Sequence, residues 1–414
     1  MPLLLPDDMK KIAAFALWLA SVGMLSAQDM GAGKEFTIRG EITGLSVGDT
    51  LRFERIELPE FDLVPDFDVV VSTSDRFEYT GRLPHAQYYM MSYRPHTGQE
   101  PNMSRRGLTM IIDGGTVTVT GAADWIYFSQ VDGEAFGEQP LLREAKDLDN
   151  SLQRERSRYL QQARAAYAAG DSVKGREYDK LFNEFRRDDE LRIQELESEF
   201  LRSYPSSPWS LVVRLQRALY TPINTLEAYY ATLDTQARES YFGTVLREEI
   251  DNLTRLLPGQ PAPAFLVTLP DGRVMNSEQF RGKYLMIYHW GFCPGSIQRE
   301  KDATELYNRF KGYFEVLGIT ESLEAFKVAA RTTPDDAEYF GINLKTTYES
   351  MTAHPWIDVE DGTGENHRIS KLYAFAGFPF FVLVSPDGNI LSRGSHGTFF
   401  ETRKILEAQY SPRP

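Results

Sequence analysis

One junction constrains this chain more than any other. An apolar strand candidate, Tyr284-Leu285-Met286-Ile287-Tyr288, runs through His289-Trp290-Gly291-Phe292 into the only cysteine, Cys293. Pro294-Gly295-Ser296 follow, and a helical stretch begins near Ile297. A thiol between a strand and a helix sits beside unpaired backbone N–H groups and the positive end of the helix dipole. Both favour the thiolate and make it a nucleophile. Where a Cys-x-x-Cys pair would carry its second sulfur stands Ser296. The site reads as half of a redox motif. The plainer alternative is a core cysteine, since free cysteine is among the most buried residue types.

The first residues read as an export signal. Met9-Lys10-Lys11 is basic, Ile12 to Leu25 is almost uninterruptedly apolar, and Ser26-Ala27 offers a small-residue cleavage site. Residues 1–27 are therefore expected to be a signal peptide. Asp7 and Asp8 ahead of the lysines, and Leu25 in place of a small residue, depart from the usual pattern. A retained anchor is the alternative, but the apolar run is short for a bilayer span. The expectation is a periplasmic protein of a Gram-negative envelope, with no membrane span after cleavage. In an oxidising compartment one thiol forms no internal disulfide, which points to intermolecular pairing or a reactive group. A net charge of −14 with no long basic cluster argues against nucleic-acid binding.

With 414 residues the chain has room for two or three domains. Residues 34–136 alternate in period two, with Phe36–Ile42, Thr50–Phe53, Val69–Val71, Phe77–Tyr79, Tyr88–Met91 and Thr116–Val119 as strands and Asp113-Gly114-Gly115 as a turn. This predicts an antiparallel β domain, most simply a small sandwich. His85 and His96 lack metal-ligand spacing and are expected on its surface. Residues 139–256 shift to helical spacing, with Leu181, Phe185, Ile193, Leu196 and Phe200 as an apolar stripe and Ser207-Pro208 opening a helix through Leu219. Pro258-Gly259-Gln260-Pro261-Ala262-Pro263 ends that region. Strand and helix signals then alternate over 258–410, as in an α/β domain with a mixed central sheet. The fold class is α+β, multidomain.

Five separated motifs in this last region resemble the thioredoxin-like fold, specifically the TlpA/ResA type of exported proteins within the AhpC/TSA-thioredoxin-like superfamily. They are Gly259-Gln260-Pro261-Ala262-Pro263-Ala264-Phe265, Asp271-Gly272-Arg273, Phe280-Arg281-Gly282-Lys283-Tyr284, the Cys293 junction, and Gly377-Phe378-Pro379 ahead of Phe380–Gly388. The region preceding them resembles an N-terminal β arrangement of unknown function found in such proteins. The resemblance implies thiol–disulfide chemistry and a cis-proline at Pro379 lying against the cysteine. It also implies that Glu321, in Glu321-Ser322, relays a proton; a helix cap is the equal alternative there.

The departures matter as much. Ser296 cannot resolve a mixed disulfide, although its hydroxyl can hydrogen-bond Cys293. Pro294-Gly295 inverts the usual order, and Phe292 stands where tryptophan is common. His289 is expected to pack. The candidate catalytic residues are Cys293, Ser296 and Glu321; the candidate substrate contacts are Trp290, Phe292, Pro294, Phe378 and Pro379. No metal or organic cofactor is required. The expected partners are exported proteins with disulfides or thiols, or a thiol–disulfide redox partner. A redox-inactive scaffold for envelope assembly is the alternative. A peroxidase is a distant third, because Met286 and Trp290 occupy the positions where peroxide chemistry needs proline and a hydroxyl. His354, His367 and His396 are expected on the surface.

Overall fold

A computed structural model describes residues 33–56, 66–98, 107–133, 140–183, 187–269, 272–321, 323–339, 342–361 and 369–410. The proposed signal peptide, Phe185, Asp271, Ser322 and His367 lie outside them. The chain divides into two compact units: Met1–Leu215 with Tyr229–Leu246, and Gln216–Ala228 with Arg247–Pro414. The helical region is thus shared between the two units.

Among its described residues the first unit holds eight strands: β1 (Lys34–Thr43), β2 (Thr50–Arg55), β3 (Phe67–Val70), β4 (Arg76–Leu83), β5 (Gln87–Arg94), β6 (Leu108–Ile112), β7 (Gly115–Ala122) and β8 (Gln130–Asp132). They form two four-stranded sheets, ordered β4-β1-β7-β8 and β3-β2-β5-β6. One buried cluster unites apolar residues of both sheets, among them Ile38, Phe53, Tyr89, Met110 and Val119. The domain is not wholly antiparallel, because β1 and β7 pair in parallel. These strands are far apart in sequence, so no hairpin dictates their direction.

His96 is exposed, as expected of a surface group, and His85 is half-buried; both are anchored. His85 stacks on Tyr241 at 3.7 Å, and His96 Nδ1 lies 2.7 Å from Asp49 Oδ1. Asp49 is itself buried.

The first unit's helices include α1 (Pro140–Ala168), α2 (Ser172–Asn183) and α3 (Arg187–Ser203); of the helices that follow in the chain, α6 (Thr235–Glu239) also lies in it, while α4 (Pro208–Arg217), α5 (Ile223–Thr232) and α7 (Tyr241–Arg255) are each divided between the two units. Leu196 and Phe200 are buried, whereas Leu181, expected in the same stripe, is 38% exposed. No helix among the described residues is long and apolar enough to cross a membrane.

The second unit is built on a five-stranded mixed sheet. After a hairpin of β9 (Leu266–Thr268) and β10 (Val274–Asn276) come β11 (Tyr284–His289), α8 (Pro294–Phe310), β12 (Phe314–Thr320), α9 (Leu323–Thr332) and the short pair β13 (Glu338–Tyr339) and β14 (Ile342–Asn343). Then follow α10 (Leu344–Met351), β15 (Ile357–Glu360), α11 (Ile369–Leu372), β16 (Phe380–Val384), β17 (Ile390–Gly394) and α12 (His396–Tyr410). The sheet order is β15-β12-β11-β16-β17. The β11–β12 and β12–β15 pairs are parallel, and the β11–β16 and β16–β17 pairs antiparallel. Central β11 and β16 are almost wholly buried, as strands covered on both faces must be. The strand carrying the cysteine junction is therefore the middle of the sheet.

Candidate thiol site

β11 ends at His289, and the chain turns through Trp290 to Phe292 before α8 begins. Cys293 is the N-cap of that helix, with extended backbone angles of φ −144° and ψ 157°, and Pro294 takes the first helical position. Proline fits there because its missing N–H is one the helix cannot use. The half-buried Cys293 sulfur accepts a hydrogen bond from the Ser296 N–H at 3.3 Å. Its thiol is within donating distance of two acceptors, the Ser296 hydroxyl at 3.4 Å and the Phe378 carbonyl at 3.5 Å. The sulfur thus faces one fixed donor, one hydroxyl able to donate or accept, and one fixed acceptor.

Ser296 is fully buried, and its oxygen also accepts from the Gly291 N–H at 3.4 Å. Burial pushes the neighbouring Tyr288 phenol up, with the Ser296 hydrogen bond working against it. The Phe378–Pro379 peptide bond is cis. Pro379 is buried against the first turn of α8, where a Cβ at Gly295 would stand only 2.9 Å from its Cδ. Any side chain at that position would push the proline loop off the cysteine.

The loop before β16 is pinned by its carbonyls. Arg393 donates to Tyr373 O at 2.9 Å and also to Ala374 O. Tyr220 donates to Ala376 O. His289 Nδ1 donates to Gly377 O at 2.9 Å, Cys293 to Phe378 O, and Ser395 to Pro379 O at 3.2 Å. Because a carbonyl only accepts, His289 carries its proton on Nδ1. Its buried Nε2 has no hydrogen-bond partner among the described residues. Burial holds this imidazole below its ordinary pKa, with the Gly377 carbonyl and then the charges of Glu321 and Asp361 pulling the other way.

Several expected roles change. Trp290, expected to touch substrate, is buried, and its indole N–H donates to Asp358 Oδ1 at 2.9 Å. The satisfied N–H turns the ring inward, stacked on Phe326. Glu321 is exposed just past β12, and its charge acts on His289. Phe292 is half-buried, stacked on Tyr348 of α10 at 4.5 Å, while Pro294 is exposed. Phe378 is 45% exposed, with its ring edge-on to His289.

Two of the other histidines, expected on the surface, are drawn inward. The His354 side chain is 1% exposed, with Nδ1 2.8 Å from Asp358 Oδ2. His396 is half-buried beside the first turn of α8, its Nε2 3.4 Å from where a Gly295 Cβ would stand. Asp358 and Tyr220 were not singled out in the sequence, and no local pattern marks either.

No family model matches the chain, and no curated protein does. Solved structures do. A thiol-disulfide oxidoreductase from Bacteroides fragilis is 24% identical, with 35% of this chain and 99% of that one covered and a TM-score of 0.27. The thioredoxin domain of a Bacteroides vulgatus thiol-disulfide oxidoreductase is 20% identical, covering 36% and 98%, with a TM-score of 0.26. A thiol:disulfide interchange protein from a Bacteroides species is 20% identical, covering 37% and 93%, with a TM-score of 0.29. Each likeness spans little more than a third of this chain.

Proposed function

We propose that this chain is an exported, thioredoxin-like thiol–disulfide oxidoreductase of the monothiol, Cys-x-x-Ser type. The Cys293 thiolate attacks a disulfide R–S–S–R′ of an exported protein. A Cys293–S–S–R bond forms, the R–S–S–R′ bond breaks, and R′–S⁻ leaves with the electron pair. A second, external thiolate then attacks the sulfur of R, and Cys293 leaves as thiolate. Over the cycle one disulfide is exchanged for another with no net oxidation. That suits isomerisation, deglutathionylation or disulfide transfer, and not efficient net reduction of dithiols.

The observation that carries this reading is the setting of the sulfur. Sγ is half-buried at the N-cap of a 17-residue helix, 3.3 Å from a backbone N–H and 3.5 Å from the carbonyl of the residue before the cis-proline. Export is supported by the basic-then-apolar leader of residues 9–27.

The test is reaction of the native protein with 5,5′-dithiobis(2-nitrobenzoate), with Cys293→Ala as the blank. Release of one thionitrobenzoate per chain without denaturant is the expected result. Release only after denaturation would overturn thiol exchange and leave the envelope-binding scaffold as the better account.

A further inference from the structure

Tyr220 ends a one-turn 3-10 helix, Ala218–Tyr220. Thr221 closes that turn, its N–H reaching Ala218 O at 3.1 Å and its hydroxyl reaching Arg217 O at 2.7 Å. The Tyr220 hydroxyl donates to Ala376 O and lies 3.8 Å from where a Cβ on Gly377 would stand. The residue is nevertheless 73% exposed. An exposed aromatic standing alone needs no explanation. This one is fastened by its polar tip to the loop whose Phe378 carbonyl touches the Cys293 sulfur, and Phe378 itself is 45% exposed. Two aromatic faces are therefore held open on the loop that borders the reactive atom.

We infer that Tyr220 is a specificity-determining residue that binds an apolar or aromatic side chain flanking the target cysteine of an extended polypeptide, an inference that rests on thiol exchange at Cys293. The reach follows from chain geometry. Ala376, where the tyrosine is fastened, and Phe378, which meets the sulfur, have Cα atoms at most about 7 Å apart. The hydrogen bonds at either end and the tyrosine ring itself lengthen the path from ring centre to sulfur to at most about 16 Å, which an extended chain covers in about five residues. The side chain that meets the Tyr220 ring is thus within about five positions of the attacked sulfur. A ring already held through its hydroxyl loses little freedom when another chain settles on it, so its apolar face contributes to binding at low entropic cost.

The experiment uses the full chain and two synthetic peptides, each carrying one cysteine as a mixed disulfide with thionitrobenzoate. One has phenylalanine at alternate positions on both sides of the cysteine, out to the fifth, and the other has glycine there. Release of thionitrobenzoate gives a rate for each peptide, and the ratio of the two rates is the readout. The wild-type ratio is expected to favour the phenylalanine peptide about three- to tenfold, the worth of one aromatic contact. Tyr220→Ala should bring the ratio near one. Tyr220→Phe, which keeps the ring and loses the hydroxyl, should retain at least half of it.

A wild-type ratio near one, or a ratio unchanged in Tyr220→Ala, overturns the specificity role while thiol exchange stands. A Tyr220→Phe ratio as low as that of Tyr220→Ala also overturns it, since the hydroxyl would then act only by placing the loop. A native wild type that fails to react even with 5,5′-dithiobis(2-nitrobenzoate) overturns thiol exchange, and the specificity role falls with it.

Discussion

Gly318 and Asp358 face each other across β12 and β15 so closely that a Cβ at Gly318 would stand 1.8 Å from Asp358 Oδ1. That oxygen accepts from the indoles of Trp290 at 2.9 Å and Trp356 at 3.3 Å, while Oδ2 lies 2.8 Å from His354 Nδ1. One buried carboxylate thus orders three rings, and one of them sets the turn that leads to Cys293. Gly318→Ala would drive the carboxylate off its donors and is expected to cost about 2–3 kcal/mol. Urea unfolding followed by tryptophan fluorescence measures this, and an unchanged midpoint would contradict it.

Ser296→Cys is expected to create a dithiol site. The serine oxygen is fully buried 3.4 Å from the Cys293 sulfur, so a sulfur in its place would be within reach of a bond after modest adjustment. The variant should accelerate insulin reduction by dithiothreitol at least about tenfold over wild type, because the second thiol resolves the mixed disulfide. Insulin turbidity rising at the wild-type rate would count against thiol exchange at this site.

The His289 imidazole supplies a pH signature. Burial lowers it from its ordinary value of 6.5. Below that pH the unfolded chain takes up a proton that the folded chain resists. The contribution is therefore complete above pH 6.5 and falls as the solution becomes more acidic, by at most about 1.4 kcal/mol per pH unit. Melting temperatures of the wild type and His289→Gln across this range test it, and parallel pH profiles would refute it.

Asp49 gives the first unit a second, more acidic signature. Its burial by itself would raise the carboxyl, but the backbone N–H groups of His96 and Ser46 and the side chains of His96 and Tyr93 bring it from 3.8 down to about 2. Stability from this group is whole above pH 3.8 and is lost as pH falls toward about 2. Asp49→Asn should cost about 1–3 kcal/mol at neutral pH and flatten that acid limb. Circular dichroism during acid titration would show the difference. Equal acid limbs in the two proteins would contradict the assignment.

The parts of the fold that could be read in advance are those written locally. The unbroken apolar run of β11, the proline and glycine punctuation at 258–263, and the period-two alternation of β1 all give their elements directly. What stayed hidden depends on pairing between distant segments. Nothing near Trp290 shows that its indole meets a carboxylate 68 residues later, so its ring looked available to substrate. Likewise Tyr220 reads as an ordinary helix-end residue until Ala376, 156 positions away, is brought beside it. The parallel β1–β7 pair is illegible for the same reason. His354 looked like a loop residue because its partner, Asp358, is on a strand that no apolar run announces.

The pinned carbonyls of the loop from Tyr373 to Pro379 carry a consequence for the order of assembly. Their donors come from Tyr220, His289, Cys293, Arg393 and Ser395, spread over nearly half the chain. A chain delivered from its N-terminus by ribosome or translocation channel releases Cys293 well before Arg393 and Ser395 emerge. Throughout that interval the loop beside the cysteine lacks the donors of Arg393 and Ser395. The pinned geometry therefore arrives late, with the final hairpin, and a chain truncated before Arg393 would leave the Tyr373, Ala374 and Pro379 carbonyls without these partners.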